Sequence, residues 1–135
     1  MQVKNKKVLI TGAAGFIGFH LVKKLAQNNF DITGIDNLNE YYDPQLKYDR
    51  LKQLGVKIDV NSKNQSSLQS EVIPHFKYIK MDLIEMDRLS ELFKKEKFDI
   101  VVHLAAQAGV RYSIESPEVY IQSNIIGFFN ILECS

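Results

Sequence analysis

Several features that point to particular protein classes are missing from this sequence of 135 residues. Its single cysteine, Cys134, cannot form an internal disulfide and has no metal-ligand pair beside it, which fits a reducing compartment. The formal net charge is only +1, so the basic excess that nucleic acids and acidic membranes attract is absent. No apolar run approaches the roughly 20 residues of a membrane-spanning helix, and the run at 8–10 is too short for a signal peptide. We therefore expect a soluble, cytoplasmic protein with no structural metal site and no nucleic-acid or membrane partner.

The residues that are present alternate between the strand period and the helix period. Strands are predicted at 7–11, 31–36, 76–82 and 98–106, and helices at 15–28, 44–54, 85–96 and 117–134. This alternation is typical of right-handed βαβ units around a parallel sheet. The predicted fold is α/β, a Rossmann-type doubly wound sheet of four strands in the order 3-2-1-4, within a single domain at 1–135.

A polar segment at 37–75 interrupts this alternation after the second strand. It contains the helix predicted at 44–54, a loop at Gly55 and a stretch rich in Ser, Asn and Gln at 61–70. Connections this long are commonly functional or mobile. A tolerated surface insertion explains the same composition, and the sequence leaves both interpretations open.

Three glycines stand where the first strand gives way to the first helix. Gly12, Gly15 and Gly18 form a G-x-x-G-x-x-G spacing rather than the commoner G-x-G-x-x-G. The first N–H groups of a helix have no intrahelical partners, and with the helix dipole they suit a pyrophosphate. Side chains at the first two glycines would obstruct the turn or the phosphate, and one at the third would push the helix off the strand. The motif predicts dinucleotide binding.

Asp36 ends the second strand and predicts which dinucleotide is bound. A carboxylate at this place accepts hydrogen bonds from the ribose hydroxyls of an adenosine and repels a 2′-phosphate, so NAD is favoured over NADP. Asp82, at the end of the third strand, either meets the adenine end of the cofactor or caps the next helix. His103, inside an apolar strand, is interpreted as a packed residue rather than a catalytic base.

The motifs resemble the nucleotide-sugar epimerase and dehydratase family, which belongs to the extended short-chain dehydrogenase/reductases. TGAAGFIG, the DNL triplet at 36–38, Asp82-Leu83, HLAAQAGVRYS and SNIIGFFNILE occur in order and cover nearly the whole chain. Within this family, DNLNEYYDPQLKYDRL and AGVRYS are most similar to UDP-glucuronate 4-epimerases. UDP-galactose 4-epimerases and dTDP-glucose 4,6-dehydratases have the same motifs in the same order but usually differ after the DNL triplet.

The resemblance implies a role for each matching residue. The turn residues would hold the pyrophosphate, Asp36 and Asn37 the adenosine ribose, and the Asp82-Leu83 pair the adenine. The segment 104–107 would line the path toward the nicotinamide ribose, and Asn124 would support the strand that bears the nicotinamide site. Arg111 would meet the sugar nucleotide or a loop near it. The implied cofactor-binding residues are Gly12, Gly15, Phe16, Ile17, Gly18, Asp36, Asn37, Asp82, Leu83, Leu104, Ala105, Ala106, Gln107 and Asn124.

The resemblance also implies a reaction, inversion at C4 of a UDP-sugar in polysaccharide biosynthesis by transient hydride transfer to bound NAD⁺. That reaction needs a Tyr-x-x-x-Lys pair, whose lysine lowers the pKa of the tyrosine. In the family the pair follows a fifth strand, so we expect it, with the sugar-binding domain, to lie beyond residue 135, and this chain alone to be inactive. Tyr48 and Lys52 have the right spacing but lie in the 37–75 insertion, and we interpret them as a chance match.

Two further expectations concern the role and the partners of the chain. A stand-alone nucleotide-binding module without catalysis is the alternative to an epimerase portion. The strand at 99–104 would lie at the edge of the sheet, and its apolar run of Ile100, Val101, Val102 and Leu104 contains no charge or proline. Such an edge offers unpaired backbone groups to another chain, so we expect a homo-oligomer that forms through it.

Overall fold

The computed structural model describes residues 4–61 and 66–135. Within them the chain forms strands and helices in alternation. The elements are β1 (Lys7–Thr11), α1 (Phe16–Ala26), β2 (Asp31–Asp36), α2 (Pro44–Gln53), β3 (Leu68–Gln69), β4 (Phe76–Lys80), α3 (Met86–Glu96), β5 (Ile100–His103), α4 (Val110–Glu115), α5 (Pro117–Tyr120), a π-helical segment (Ile121–Ile126) and α6 (Gly127–Cys134).

The strands form one sheet in the order β3-β4-β2-β1-β5. The pairs β4–β2, β2–β1 and β1–β5 are parallel, and β3 pairs antiparallel with β4. The α/β fold and the predicted order of the four long strands are therefore confirmed. The predicted number of strands is wrong by one, because β3 has only two residues and two residues show no periodicity. The stretch predicted as polar at 61–70 includes β3, and its residues 62–65 lie outside the described residues.

Helices cover both faces of the sheet, and this explains why β1 is apolar at successive positions. Val8 and Ile10 pack in one cluster with Val22 of α1, whereas Leu9 packs in a second cluster with Leu89 of α3 and Ile131 of α6. Successive side chains of a strand point to opposite faces, so a strand covered on both faces is apolar at successive positions in its centre. This burial holds the carboxyl ends of β1 and its neighbours in fixed positions.

The chain after β5 differs most from the prediction. The strand predicted at 98–106 ends at His103, and residues 104–109 form a loop. The helix α4, which was not predicted, follows Gly109, whose φ of 103° is in the left-handed region. The helix predicted at 117–134 has these bounds but contains the π-helical segment, which has no side-chain signature in the sequence. None of the helices within 4–61 and 66–135 combines the length and apolarity needed to cross a membrane.

Candidate functional site

The carboxyl ends of the parallel strands open into a cleft of about 390 Å³. The glycine turn, the ends of β2 and β4, the loop after β5 and the first part of the 37–75 insertion form its walls. Ligands of open α/β sheets bind at this edge. Of the residues predicted to bind the cofactor, those that line the cleft are Gly12, Gly15, Phe16, Asp36, Asn37, Asp82, Leu83, Leu104, Ala105, Ala106 and Gln107.

The glycine turn places the uncapped end of α1 at the cleft. Gly12 has a φ of 70°, and a Cβ there would lie 3.0 Å from the backbone nitrogen of Ala105. The Gly15 N–H donates to the Gly12 carbonyl at 3.0 Å, and no side chain caps the helix. Gly18 lies outside the lining because it packs on the turn, where a Cβ would come within 2.1 Å of the Gly12 oxygen. The exposed Ile17 also lies outside the lining.

Asp36 is held at the cleft wall by three donors. Its Oδ2 accepts the Ala14 N–H at 3.2 Å, and its Oδ1 accepts the Leu38 N–H at 2.9 Å and the Lys47 ammonium at 3.0 Å. Only 5% of the Asp36 side chain is exposed. The Tyr78 hydroxyl donates to the Asp36 carbonyl at 3.0 Å, and burial, with Asp36 as the second cause, raises the pKa of Tyr78 far above its usual value. Tyr78 is therefore a neutral donor that fixes the end of β2.

Asn37 and Asp82 connect the ends of β2 and β4 across the cleft. The Asn37 amide donates to Asp82 Oδ2 at 3.0 Å. Asp82 Oδ1 accepts the Ile84 N–H at 3.2 Å, within the turn that precedes α3. Asp82 does not cap α3, whose N-cap residue is Glu85, but one of its carboxylate oxygens serves the preceding turn. The residue also lines the cleft, as the other interpretation requires.

Thr11 and His103 hold the first part of the loop after β5. Thr11 Oγ1 accepts the N–H groups of Leu104 and Ala105, both at 3.0 Å, and lies 2.7 Å from His103 Nδ1. Because the oxygen accepts twice, its own hydrogen donates to Nδ1, which makes His103 the neutral Nε2–H tautomer. Burial lowers the pKa of His103, and its ring stacks on Phe128 at 5.6 Å. His103 does not line the cleft, in agreement with its interpretation as a packed residue.

Asn124 holds the second part of the same loop. Its Oδ1 accepts the Gln107 N–H at 2.8 Å, and its Nδ2 donates to the Gln107 carbonyl at 3.0 Å. It does not line the cleft, whereas its neighbour Ser123 does. Asn124 therefore acts on the cleft through the backbone of Gln107.

The sequence analysis missed a wall of the cleft formed by α2 and the residues before it. Asp43 accepts the Gln45 N–H at 2.9 Å and so caps α2, which begins with Pro44. Lys47 and Arg50 then face the cleft, and the Arg50 guanidinium donates to the Ala14 carbonyl at 3.2 Å. Their spacing of three within a predicted helix was the available signal. The first part of the insertion thus belongs to the site. The missed lining residues of this wall are Asn39, Tyr41, Tyr42, Asp43, Leu46, Lys47 and Arg50.

Three residues considered from the sequence lie away from the cleft. The Arg111 side chain is 95% exposed, and its Nε lies 3.6 Å from Glu115 of the same helix. Tyr48 packs against the core around β1, and Lys52 is exposed on the outer side of α2. Within the described ranges, no three or more His, Cys, Asp or Glu residues are grouped so as to hold a metal ion.

Comparison with known proteins gives consistent matches. The family model described as GDP-mannose 4,6 dehydratase matches residues 9–135. The chain is 49% identical to Protein CapI of Staphylococcus aureus over 96% of its own length and 34% of that protein. It is 41% identical to UDP-glucuronate 4-epimerase 4 of Arabidopsis thaliana over 93% of its own length and 25% of that protein.

Solved structures of 4-epimerases match the fold of this chain. A UDP-Glc/GlcNAc 4-epimerase of Campylobacter jejuni superposes with a TM-score of 0.71 and 27% identity over 96% of this chain and 33% of that one. A UDP-glucose 4-epimerase of Thermus thermophilus in complex with NAD gives a TM-score of 0.67 and 26% identity over 95% and 33%. The chain thus spans about a third or less of the length of these relatives.

Proposed function

The chain belongs to the GDP-mannose 4,6 dehydratase family of epimerases and dehydratases, and we propose that it is the NAD(H)-binding portion of a nucleotide-sugar 4-epimerase. The observation that carries this proposal is the uncapped, glycine-lined end of α1 in the cleft, with the Asp36 carboxylate on another wall. A pyrophosphate and an adenosine ribose need these two groups at one edge of the sheet.

The residues present fit such a cofactor. A Cβ at Gly12 would press on the backbone of the loop after β5, so the absence of side chains keeps the turn close to that loop and open to a ligand. Asn37 and Asp82, joined by a hydrogen bond at the ends of β2 and β4, would contact the adenosine ribose and the adenine, as the resemblance implies. The Thr11 and Asn124 hydrogen bonds fix the loop along which the nicotinamide half would lie. Known NAD complexes of structural neighbours support the assignment.

For the complete protein we propose UDP-glucuronate as the substrate. Support comes from relatives named UDP-glucuronate 4-epimerase in Arabidopsis thaliana and Thermodesulfobacterium geofontis, at 41% and 40% identity. Bound NAD⁺ would supply reversible hydride acceptance at C4 of the sugar. This chain's part is to bind and orient the cofactor, while the proton transfer falls to a Tyr-x-x-x-Lys pair outside residues 1–135. Arg111 remains a candidate for contact with the sugar nucleotide.

A UDP-glucose 4-epimerase is the second candidate, because several structural neighbours carry that name. Turnover of the full-length protein with UDP-glucuronate and with UDP-glucose in parallel distinguishes the two. A binding module without catalysis would turn over neither of them.

The proposal is tested by calorimetric titration of the 135-residue chain with NAD⁺. We expect saturable binding, and no formation of UDP-galacturonate when UDP-glucuronate is added. Absence of binding at millimolar NAD⁺ and NADH would contradict the proposed function. UDP-galacturonate formed by the pure chain would instead contradict our interpretation of Tyr48 and Lys52, and a Tyr48→Phe variant would then show whether they are responsible.

A further inference from the structure

An ion pair stands where the ribose 2′ position of an adenosine is expected. Lys47 Nζ lies 3.0 Å from Asp36 Oδ1, and the two side chains are only 16% and 5% exposed. Both residues line the cleft, so the pair faces a ligand rather than bulk water. At such low exposure the pairing is screened less by solvent and salt than an ion pair on the surface.

The other charged groups of this wall are Arg50 and Asp43. Arg50 lies one turn after Lys47 on α2 and also lines the cleft. The carboxylates of Asp36 and Asp43 and the cations of Lys47 and Arg50 give this wall no net formal charge. Asp43 caps α2, and Asp82 accepts from the Asn37 amide, so both remaining carboxylates of the cleft have donors of their own.

This arrangement changes the argument that a carboxylate at the end of β2 excludes NADP. A 2′-phosphate carries a charge of about −1.5 to −2, and an unpaired Asp36 would repel it. With Lys47 bound to Asp36 the repulsion is largely cancelled, and the ammonium has three donors, of which the Asp36 contact uses one. A phosphate beside the pair would therefore meet a cation as well as a carboxylate.

We propose that Lys47 determines the cofactor specificity of the cleft by neutralising Asp36 beside the ribose, so that a 2′-phosphorylated adenosine is tolerated. The inference rests on the proposed NAD(H) site and concerns only its adenosine end. NAD(H) stays the preferred ligand, because Asp36 accepts from ribose hydroxyls and a 2′-phosphate cannot replace that donor. The preference for an adenosine with a free 2′ hydroxyl over one with a 2′-phosphate is small while Lys47 is present and large without it.

The test uses two short ligands that differ only at the 2′ position, 5′-AMP and 2′,5′-ADP (adenosine 2′,5′-bisphosphate). Calorimetric affinities are measured for the unmodified chain, for Lys47→Met and for Lys52→Met, whose side chain is exposed on the same helix outside the cleft. The unmodified chain is expected to prefer 5′-AMP over 2′,5′-ADP by less than about tenfold. Lys47→Met should raise this preference by at least about tenfold, since losing one charge near a phosphate at low exposure costs more than about 1.4 kcal/mol. Lys52→Met should leave this preference unchanged. Lys47→Arg, which keeps the positive charge, should bind the 2′-phosphorylated ligand almost as well as the unmodified chain does.

Several outcomes would overturn the inference. The inference fails if the unmodified chain prefers the ligand without the 2′-phosphate by more than about a hundredfold. This outcome needs no variant, so the inference can be tested even if Lys47→Met does not fold. An equal loss of affinity for both ligands in Lys47→Met would show that Lys47 only shapes the wall. If the unmodified chain binds NAD⁺ and the ratio does not respond to Lys47→Met, only this inference fails. If the unmodified chain binds none of the adenine ligands, both this inference and the proposed function fail.

Discussion

At the scale of single residues, Asp36 accepts hydrogen bonds from four donors at the wall of the cleft. Its carboxylate accepts from the backbone of Ala14 in the glycine turn, from the backbone of the residue two positions after it and from Lys47, and its carbonyl accepts from Tyr78. Hydrogen bonds to a charged acceptor are the stronger ones, so the group is held in one orientation. That orientation leaves Asp36 ready to accept from a ribose.

We predict that Asp36→Ala weakens NAD(H) binding and narrows the difference between NAD(H) and NADP(H). The ribose loses its acceptor, and Lys47 is left without its carboxylate beside the 2′ position. Calorimetric titration of both cofactors is the measurement, with Asp49→Ala, an exposed position on α2, as the control. NADP(H) binding to the unmodified chain that equals or exceeds NAD(H) binding would refute the preference for NAD(H).

Two glycines of the turn should respond differently to alanine. A Cβ at Gly18 would lie 2.1 Å from the Gly12 oxygen, a backbone atom, whereas one at Gly15 has its nearest contact at 3.2 Å. Gly18→Ala should therefore lower the free energy of unfolding by about 1–3 kcal/mol or more. Gly15→Ala should change stability less and reduce NAD⁺ affinity, because its methyl group lies where the pyrophosphate approaches. Urea unfolding and calorimetry distinguish the two, and equal destabilisation would contradict the assignment.

At the scale of secondary-structure elements, one carboxylate ties α3 to the two strands on either side of β2. Glu96 ends α3 and binds Lys7 of β1, at 3.3 Å, and Lys77 of β4. Burial alone would raise the pKa of Glu96, but the hydrogen bonds and charges of Lys77 and Lys7 outweigh it, and the pKa is lowered from its ordinary value of 4.5. Glu96 thus holds its proton less tightly in the folded chain than in the unfolded one.

This difference predicts a pH dependence of stability. A lowered folded pKa contributes stability that is complete above about pH 4.5 and is lost as the pH falls through the folded pKa. Glu96→Gln should cost about 1–3 kcal/mol at neutral pH and flatten the loss on the acid side. Urea unfolding at pH 3–7 measures both effects, and Glu91→Gln, exposed on the same helix, is the control. If the free energy of unfolding falls equally with acid in the Glu96→Gln variant and in the unmodified chain, Glu96 is not the source of the pH dependence.

At the scale of the whole molecule, the β5 side of the sheet is covered less than the rest. β5 is the edge strand, and its Ile100 is 38% exposed. The helices that follow it expose Ile125, Phe129 and Leu132 to more than half of their surface, at 59%, 54% and 57%. Large exposed apolar areas mark surfaces that pack against another protein part, and an unpaired edge accepts another strand.

We predict that the 135-residue chain self-associates through this side, by antiparallel pairing of β5 or by exchange of its last helix. Ile100→Lys should reduce the association measured by sedimentation and light scattering, whereas Val60→Lys, in the insertion, should not. A monomer that persists at high concentration, with fast amide exchange from Val101 to Leu104, would count against strand pairing.

The sequence alone predicted the α/β class and the place of the glycine turn, because these depend on local patterns. The order of the long strands followed from the general topology of doubly wound sheets, which the alternation of strands and helices indicated. Periodicity reports which faces are buried, and the glycine spacing reports a turn in which a Cβ would clash. Asp36, Asn37 and Asp82 could be placed at the cleft for a related reason, since each follows the end of a parallel strand and those ends meet at one edge of the sheet. The two-residue β3 and the π-helical segment were not predicted, because neither leaves a periodic signal.

The partners of the site residues were decided only by the tertiary structure. Lys47 reaches Asp36 because α2 packs over the turn after β1, and no local pattern states where a helix inside an insertion will lie. Asn124 meets Gln107 from a helix that follows it by many residues, and its role depends on the π-helical segment that carries it. Contacts between residues far apart in the chain are set by the packing of whole elements. The pairing of charges at the end of β2 is therefore a property of the fold rather than of the motif.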